Sequence, residues 1–317
     1  MTPGDPDDRD ASDDRFEVRG ARPEDREAVV AFTGDTWPDR GGDYVPYVYE
    51  DWMEAEGDAQ RTLVLDPADE PGLAGLVQGV LLSEHEAWAQ AMRVNPEYRG
   101  QGVSPRLTYA LFDWAADAGA TVCRNMVFSW NTAGLGQSRS VGFEPVTAFR
   151  WAHPEPDPSA EVEGFEVTGE PEPAWTRFQG SDAAGHLRGL TLDLDESWAL
   201  SECSLERFRR ASEDTASIAL VDDGGVRACS YRVRGFERED DEGETETWAE
   251  YGVGVWSDIE AARGLFAAIA RDAASVGADR TRVLVPETPR HVTDAAYARA
   301  GISDEPDFVL ARDLSSR

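Results

Sequence analysis

The stretch VNPEYRGQGV, residues Val94–Val103, joins a predicted strand to a predicted helix. Apolar residues over 88–94 predict the strand. After the glycines, Ser104 is a good N-cap residue and Pro105 is tolerated at the first helical position. Apolar residues then recur with helical spacing until Gly119, a residue type suited to the position after a helix. The sequence therefore predicts a strand, a glycine loop and a helix in succession.

A glycine loop that leads into a helix is a site for an anion. Glycines let backbone N–H groups approach an oxyanion, and the helix N-terminus contributes about half a positive charge. A pyrophosphate fits such a site. A P-loop would continue with Gly-Lys-Ser/Thr, and a dinucleotide fingerprint would have glycine where Pro105 stands. The sequence fits both of these alternatives poorly.

The same segment resembles the acetyl-CoA pyrophosphate loop of the GNAT superfamily of N-acetyltransferases, whose signature is Arg/Gln-x-x-Gly-x-Gly/Ala after a Val-x-Pro strand end. Two later segments, NTA (Asn131–Ala133) and VGFEP (Val141–Pro145), resemble the second conserved region of that family. More loosely, GDYVP (Gly42–Pro46) resembles a segment of members that acetylate free histidine and related amino acids. The resemblance covers about residues 16–151 and implies acetyl-CoA as co-substrate.

The resemblance also implies where the cofactor binds. The strand end would lend its backbone to the pantetheine arm, the glycine loop would wrap the pyrophosphate, and Asn131 would lie near the thioester. The Ser104-Pro105 pair departs from the family pattern, because proline removes one amide donor, and the Ser104 hydroxyl can substitute for it. The expected cofactor-binding residues are Met92, Arg93, Val94, Arg99, Gly100, Gln101, Gly102, Val103, Ser104 and Asn131.

Ser138 and Glu84 are the candidate catalytic residues. Many family members carry a tyrosine proton donor four residues before the glycine of the second region, and Ser138 stands at that position. A thiol leaving group with a pKa of about 8.5 needs little help, so positioning of the amine can carry much of the catalysis. The amine must lose a proton, and Glu84, between two predicted strands, is the candidate base. A solvated turn explains its neighbours His85 and Glu86 slightly better than catalysis does.

Tyr44 and Gln90 are the candidate substrate-binding residues. Gln90 lies on a predicted strand, where its amide can orient an amine but cannot deprotonate it. Tyr44 belongs to an aromatic cluster that can line an amine pocket, and core packing explains the cluster equally well. The cluster comprises Trp37, Tyr44, Tyr47, Tyr49 and Trp52.

Composition and charge restrict the class of protein. The 317 residues include 62 acidic and 30 basic side chains, a formal net charge of −32, and every basic residue is arginine. Such a charge repels nucleic acid and anionic membranes, and it is typical of proteins from salt-accumulating halophiles. With three scattered cysteines, four scattered histidines, no apolar run of membrane length and no signal peptide, we expect a cytoplasmic protein without a metal.

The predicted fold is α/β (α+β), with two tandem GNAT-like domains, each a mixed twisted sheet flanked by helices. An acidic tail at 1–14 should be disordered, residues 15–152 should form the acetyltransferase domain, and a Pro/Glu-rich linker should span 153–173. Residues 174–317 repeat part of the element order and form a degenerate second copy. That copy has WSD (Trp256–Asp258) in place of the glycine loop, so it should not hold a phosphate.

Two functions fit these observations. The first is an N-acetyltransferase that moves an acetyl group from acetyl-CoA to a primary amine of a small molecule, amino acid or peptide. The second is a non-catalytic acyl-CoA-binding sensor or assembly subunit, which needs only the loop of Arg99–Ser104. Under either reading the second half can shape the substrate cleft or pair between chains, as in a homodimer. A base near the thioester distinguishes the enzyme from the sensor.

Overall fold

The computed structural model describes residues 15–34, 36–37, 42–68, 71–239 and 243–315. The acidic tail predicted at 1–14 lies outside these residues. The chain forms two compact units, and neither is continuous in sequence. The first comprises Met1–Cys123, Gln137–Gly142 and Arg312–Arg317, and the second comprises Arg124–Gly136 and Phe143–Ala311.

The first unit contains an antiparallel sheet in the order β1–β2–β3–β4. Its strands are β1 (Phe16–Gly20), β2 (Gln60–Pro67), β3 (Gly75–Leu81) and β4 (Glu86–Val94). Its helices are α1 (Arg26–Thr33), α2 (Val45–Ala55) and α3 (Val103–Asp117), and 3-10 turns at Pro23–Asp25 and Pro96–Tyr98 come before α1 and α3. Next come β5 (Val122–Phe128) and α4 (Thr132–Ser140), whose residues are divided between the two units.

Helices cover both faces of this sheet. On one face a Cβ atom at Gly79 would lie 2.7 Å from Trp114 and 3.1 Å from Leu111, so glycine lets α3 approach the strand. Side chains alternate between the two faces of a strand. Leu76 precedes Gly79 by three residues on β3 and therefore points to the opposite face. There it packs in a buried cluster with α1 and α2 that comprises Val29, Val45, Tyr49, Trp52, Val64, Leu73, Leu76 and Ala91.

The second unit begins with β6 (Glu144–His153), β7 (Glu166–Thr168), α5 (Pro171–Gln179), α6 (Asp182–His186), β8 (Leu190–Leu192), β9 (Leu200–Glu202) and α7 (Leu205–Asp214). It continues with β10 (Ala216–Asp222), β11 (Gly225–Glu239), β12 (Thr245–Val253), β13 (Val255–Trp256) and α8 (Ile259–Ser275). It ends with β14 (Arg280–Pro286), α9 (Pro289–Tyr297), β15 (Gly301–Ile302) and most of β16 (Asp307–Asp313).

The main sheet of the second unit has the strand order β16–β6–β14–β12–β11–β10–β7. The β12–β14 pair is parallel, whereas the pairs β16–β6, β6–β14, β12–β11, β11–β10 and β10–β7 are antiparallel, so the sheet is mixed as predicted. Helix α8 supplies Leu265, Phe266 and Ile269 to the core beneath this sheet. No described helix is long and apolar enough to cross a membrane.

Strand β6 pairs with strands from the end of the chain. Most of this strand falls within residues 15–152, predicted as the acetyltransferase domain, but in the structure it lies between β14 and β16. Ala152 is opposite Val283 of β14, and Phe149 is opposite Asp307 of β16. The segment predicted as a linker also contributes structure to this unit, because β7 pairs with β10 and Phe165 packs against the core.

The predicted start of helix α3 is wrong. Helix α3 begins at Val103 with Gly102 as its N-cap, not at Pro105 with Ser104 as N-cap. A glycine with positive φ turns the chain directly into the helix, and Pro105 then falls in the first turn, where no amide has a partner within the helix. Strand β11 extends to Glu239 and β12 begins at Thr245, so the paired strands include both ends of the acidic stretch 237–246.

Candidate functional site

The glycine loop follows β4 through the 3-10 turn at Pro96–Tyr98. The Asn95 side chain fixes its start, because Oδ1 accepts a hydrogen bond from the Glu97 amide at 3.1 Å and Nδ2 donates to the Leu73 carbonyl at 3.0 Å. Gly100 and Gly102 then adopt φ angles of 75° and 78°. Side chains disfavour this left-handed conformation, so the geometry explains why both positions are glycine.

Space is open around the two glycines. A Cβ atom at Gly100 would meet nothing within 4 Å, and one at Gly102 would meet only Nε of Arg106, at 3.9 Å. The amides of the first turn of α3 have no partner within the helix. The Ser104 hydroxyl is buried and has no hydrogen-bond partner among the described residues. Open glycines, unpaired helical amides and a hydroxyl without a partner fit the pyrophosphate of a CoA molecule.

A bulge interrupts β4 before the loop. Leu76 of β3 pairs with Arg93 and Gln78 pairs with Gln90, so one residue of β3 faces two residues of β4. At the bulge Ala91 has a φ angle of 54°. Such a bulge redirects side chains and ends regular pairing. It turns the backbone of β4 just before the residues predicted to contact pantetheine, and no compositional signal in the sequence predicted it.

Arg93 on β4 and Tyr44 at the N-cap of α2, two of the predicted site residues, lie close together. The guanidinium of Arg93 forms two hydrogen bonds with the buried carboxylate of Asp43, of 2.6 and 3.0 Å. Cζ of Arg93 lies 4.4 Å from the centroid of the Trp37 ring and 5.6 Å from that of Tyr44. The side chain of Arg93 thus holds the start of α2 against β4. Contact with the pantetheine arm was predicted for the backbone of Arg93, and this side-chain pairing does not involve that backbone.

Residues 26–143 match the model of the acetyltransferase (GNAT) family. We call this matched segment the GNAT region. Over nearly the whole chain the fold is similar to that of a GCN5-related N-acetyltransferase from Sphaerobacter thermophilus, with a TM-score of 0.60 at 16% identity, over 95% of this chain and 96% of that one. It is also similar to that of a protein from Thermoplasma acidophilum described as an acetyltransferase, with a TM-score of 0.56 at 17% identity, over 94% and 99%. No curated protein matches the sequence.

The side chain of Asn131 forms the start of helix α4 in the GNAT region. Its Oδ1 accepts a hydrogen bond from the Gly134 amide at 2.9 Å, and its carbonyl accepts one from Leu135 at 2.9 Å. A Cβ atom at Gly134 would lie 2.6 Å from Nδ2 of Asn131, so the close approach requires glycine. Ser138, at the position of the family's tyrosine, lies on α4 and is 1% exposed.

Glu84 lies far from the glycine loop of the GNAT region. It is exposed in the turn between β3 and β4, and its carbonyl oxygen would be 3.3 Å from a Cβ atom at Gly119, beyond the C-terminus of α3. The loop is at the other end of β4, and nine extended residues span roughly 30 Å. The structure therefore does not bring this candidate base to the loop, whereas Gln90 is beside the bulge and donates a 2.5 Å hydrogen bond to Gln78.

The helix N-terminus in the second half already carries a carboxylate. Asp258 is the N-cap of α8, and its Oδ1 accepts a hydrogen bond from the Ala261 amide at 3.0 Å. Arg227 bridges Asp258 and Asp222. Parallel pairing of β12 and β14 extends to the Gly254 amide, which donates to the Leu284 carbonyl at 2.8 Å. A phosphate here would meet a negative charge, which is consistent with a second half that binds none.

A buried charged cluster in the second unit was missed by the sequence analysis. Arg282 forms a 2.5 Å ion pair with Glu250, which is 1% exposed. Burial lowers the pKa of Arg282, and the rings of Trp151, Trp198 and Phe236 surround its guanidinium at 4.4 to 4.7 Å. Burial also raises the pKa of Asp307 to about 7. Arg282, Glu250 and Asp307 are far apart in a sequence rich in acidic residues, so no local sequence pattern marks them as a cluster.

Proposed function

We propose that this protein is an N-acetyltransferase that transfers the acetyl group of acetyl-CoA to a primary amine of a small molecule, amino acid or peptide. The observation that carries the proposal is the loop of Arg99–Ser104, whose two glycines have positive φ angles, open surroundings and a helix N-terminus directly after them. The acidic composition supports the further proposal that it acts in the salt-rich cytoplasm of a halophile.

The reaction proposed is direct attack on the thioester. The neutral amine nitrogen forms a bond to the carbonyl carbon and the carbon–sulfur bond breaks. The nitrogen gives up one proton to water or a base, and the leaving CoA thiolate takes up one proton. A thiolate is a good leaving group because its conjugate acid has a pKa of about 8.5, so the reaction tolerates serine in place of tyrosine at Ser138. Loop and strand end would hold the acetyl donor, and the bulge at Ala91 would orient the backbone beside it.

The proposal is tested by release of CoA thiol from acetyl-CoA in molar KCl against a panel of amines, amino acids and peptides. The matched variants are Arg99→Ala in the loop and Arg26→Ala, which removes an exposed arginine of α1 that is paired with Glu50. We expect thiol to be released from acetyl-CoA in the presence of one class of acceptor. Arg99→Ala should reduce the rate of release, and Arg26→Ala should not. Binding of acetyl-CoA without transfer to any acceptor would favour the sensor.

The placement of Glu84 is the specific observation that favours a CoA-binding sensor, because that function needs no base. Glu84→Gln distinguishes the cases once an acceptor is known. A general base contributes about 10²- to 10⁴-fold to the rate, so a loss of that size would identify Glu84 as the base. Since Glu84 is roughly 30 Å along β4 from the loop, we expect Glu84→Gln to retain most of the activity.

A further inference from the structure

One aromatic ring beside the glycine loop carries two arginine side chains. Cζ of Arg15 and Cζ of Arg106 each lie 5.7 Å from the centroid of the Phe16 ring. Tyr98, which directly precedes the loop, packs edge-on against the same ring at 5.9 Å. We call Arg15, Phe16 and Arg106 the Phe16 cluster. Its two guanidinium groups are thus brought to one place by a single hydrophobic anchor.

The Phe16 cluster is attached to the side of the loop. Arg106 is in the first turn of α3, its amide donates a 3.3 Å hydrogen bond to the Gly102 carbonyl, and its Nε would lie 3.9 Å from a Cβ atom at Gly102. Phe16 is held at the start of β1, where it pairs with Pro67. Arg15 is exposed and Arg106 is half-buried, so both charges lie at the surface next to the glycines.

The two positive charges of the Phe16 cluster belong to a chain whose formal net charge is −32. Such a chain repels a polyanion, so a CoA molecule needs local positive groups to bind. The loop amides and the helix N-terminus account for the pyrophosphate, but CoA also carries a phosphate monoester on its ribose. A monoester has a charge of about −1.5 to −2 at neutral pH and accepts paired hydrogen bonds from guanidinium groups.

On the basis of the proposed use of acetyl-CoA, we propose that Arg106, together with Arg15, binds the 3′-phosphate of CoA. The pyrophosphate would then be bound by the loop backbone, and the 3′-phosphate by the Phe16 cluster beside it. The consequence is a preference for CoA over 3′-dephospho-CoA that depends on these two arginines. Phe16 holds their guanidinium groups in place and contributes no charge.

The test is a comparison of Kd values for CoA and 3′-dephospho-CoA, measured by titration calorimetry in KCl. The variants are Arg106→Gln, Arg106→Lys, Arg15→Gln and, as a matched control, Arg26→Gln, whose exposed arginine is paired with Glu50 on α2. A charge-assisted pair contributes about 1.4 kcal/mol or more, which is roughly tenfold in Kd. We expect Arg106→Gln to weaken CoA binding about tenfold and to leave the Kd of 3′-dephospho-CoA unchanged. Arg106→Lys keeps the positive charge, so its Kd for CoA should lie between those of the wild type and Arg106→Gln.

Other results would overturn the inference. Equal weakening of both ligands by Arg106→Gln would place Arg106 on the pyrophosphate, and equal Kd values for both ligands in the wild type would show that the 3′-phosphate is not bound. A melting temperature for each variant separates loss of binding from loss of fold. Failure of acetyl transfer is a different result, because the sensor function also requires CoA binding and leaves this discrimination intact.

Discussion

Single residues with constrained backbones set the geometry of the glycine loop that we propose binds acetyl-CoA. Gly102 has a φ angle of 78° and is the N-cap of α3, and its surroundings are open. Gly277 has a φ angle of 73° and equally open surroundings, but it follows the C-terminus of α8. The two glycines therefore share a backbone conformation and differ in what lies beside them, which makes them a matched pair.

Gly102→Ala and Gly277→Ala separate backbone strain from ligand binding. Both should lower the free energy of unfolding by about 1–2 kcal/mol, the cost of a left-handed alanine. Only Gly102→Ala should weaken binding of acetyl-CoA, because its Cβ atom would project from the loop proposed to contact phosphate. Thermal unfolding and calorimetric titration measure the two effects. If Gly277→Ala weakened binding as much as Gly102→Ala, the loop would not be the site.

Asp307 is a buried carboxyl group whose titration should affect stability. It is 6% exposed, burial raises its pKa to about 7, and Trp151 Nε1 donates a 3.2 Å hydrogen bond to it. A carboxyl group with a raised pKa binds more protons in the folded state than in the unfolded state. Its contribution is therefore favourable at low pH and is lost as the pH rises from about 4 to 7.

Asp307→Asn removes this titration and retains the acceptor for Trp151. We expect the variant to gain stability relative to the wild type as the pH rises, by up to about 4 kcal/mol at pH 8 for a shift of roughly three units. His291, whose pKa burial lowers to about 4, has the opposite pH dependence and cancels in the difference. Denaturant unfolding at pH 5 and pH 8 provides the comparison, and an equal difference at both pH values would contradict the prediction.

At the scale of elements, the two helices that follow a central strand end differently at their N-termini. Helix α3 begins after a glycine without a side-chain cap, whereas α8 begins with Asp258, which is capped to Ala261 and paired with Arg227. The N-terminus of α3 can accept an anion, whereas that of α8 is already occupied by the carboxylate of Asp258. We therefore expect a phosphate to bind at the N-terminus of α3 and not at that of α8.

This difference predicts a stoichiometry of one CoA per chain. Titration calorimetry in molar KCl should give a single class of sites, and Gly102→Ala should weaken it. Asp258→Ala should leave the stoichiometry at one, and it should destabilise the fold by about 1 kcal/mol through loss of the N-cap. Two sites of similar affinity in the wild type would show that the second half also binds the cofactor.

At the scale of the whole molecule, net charge should control stability. A formal charge of −32 over 317 residues causes self-repulsion that salt screens, since the Debye length falls from about 10 Å at 0.1 M to about 3 Å at 1 M. We expect the melting temperature to rise steadily as KCl increases from 0.1 to 2 M. A melting temperature that does not depend on salt would contradict a halophilic adaptation.

The sequence by itself determined the features that contiguous residues encode. The glycines before α3, the Gly119 that ends it and the Asp258 that begins α8 are local signals, because caps and positive φ angles depend on a few neighbouring residues. They were enough to predict a glycine loop before α3 and its replacement by WSD before α8. Apolar residues over 88–94 predicted the strand β4 that precedes the loop.

Only the tertiary structure decided which distant residues meet. Strand β6 pairs with β14 and β16, Arg150 bonds Glu287, and Trp151 bonds Asp307 across more than 130 residues of sequence. The β4 bulge, the Arg93–Asp43 pair and the remote position of Glu84 likewise depend on strand register. Register and partner choice are set by burial summed over whole faces, and the residues of one strand do not contain that information.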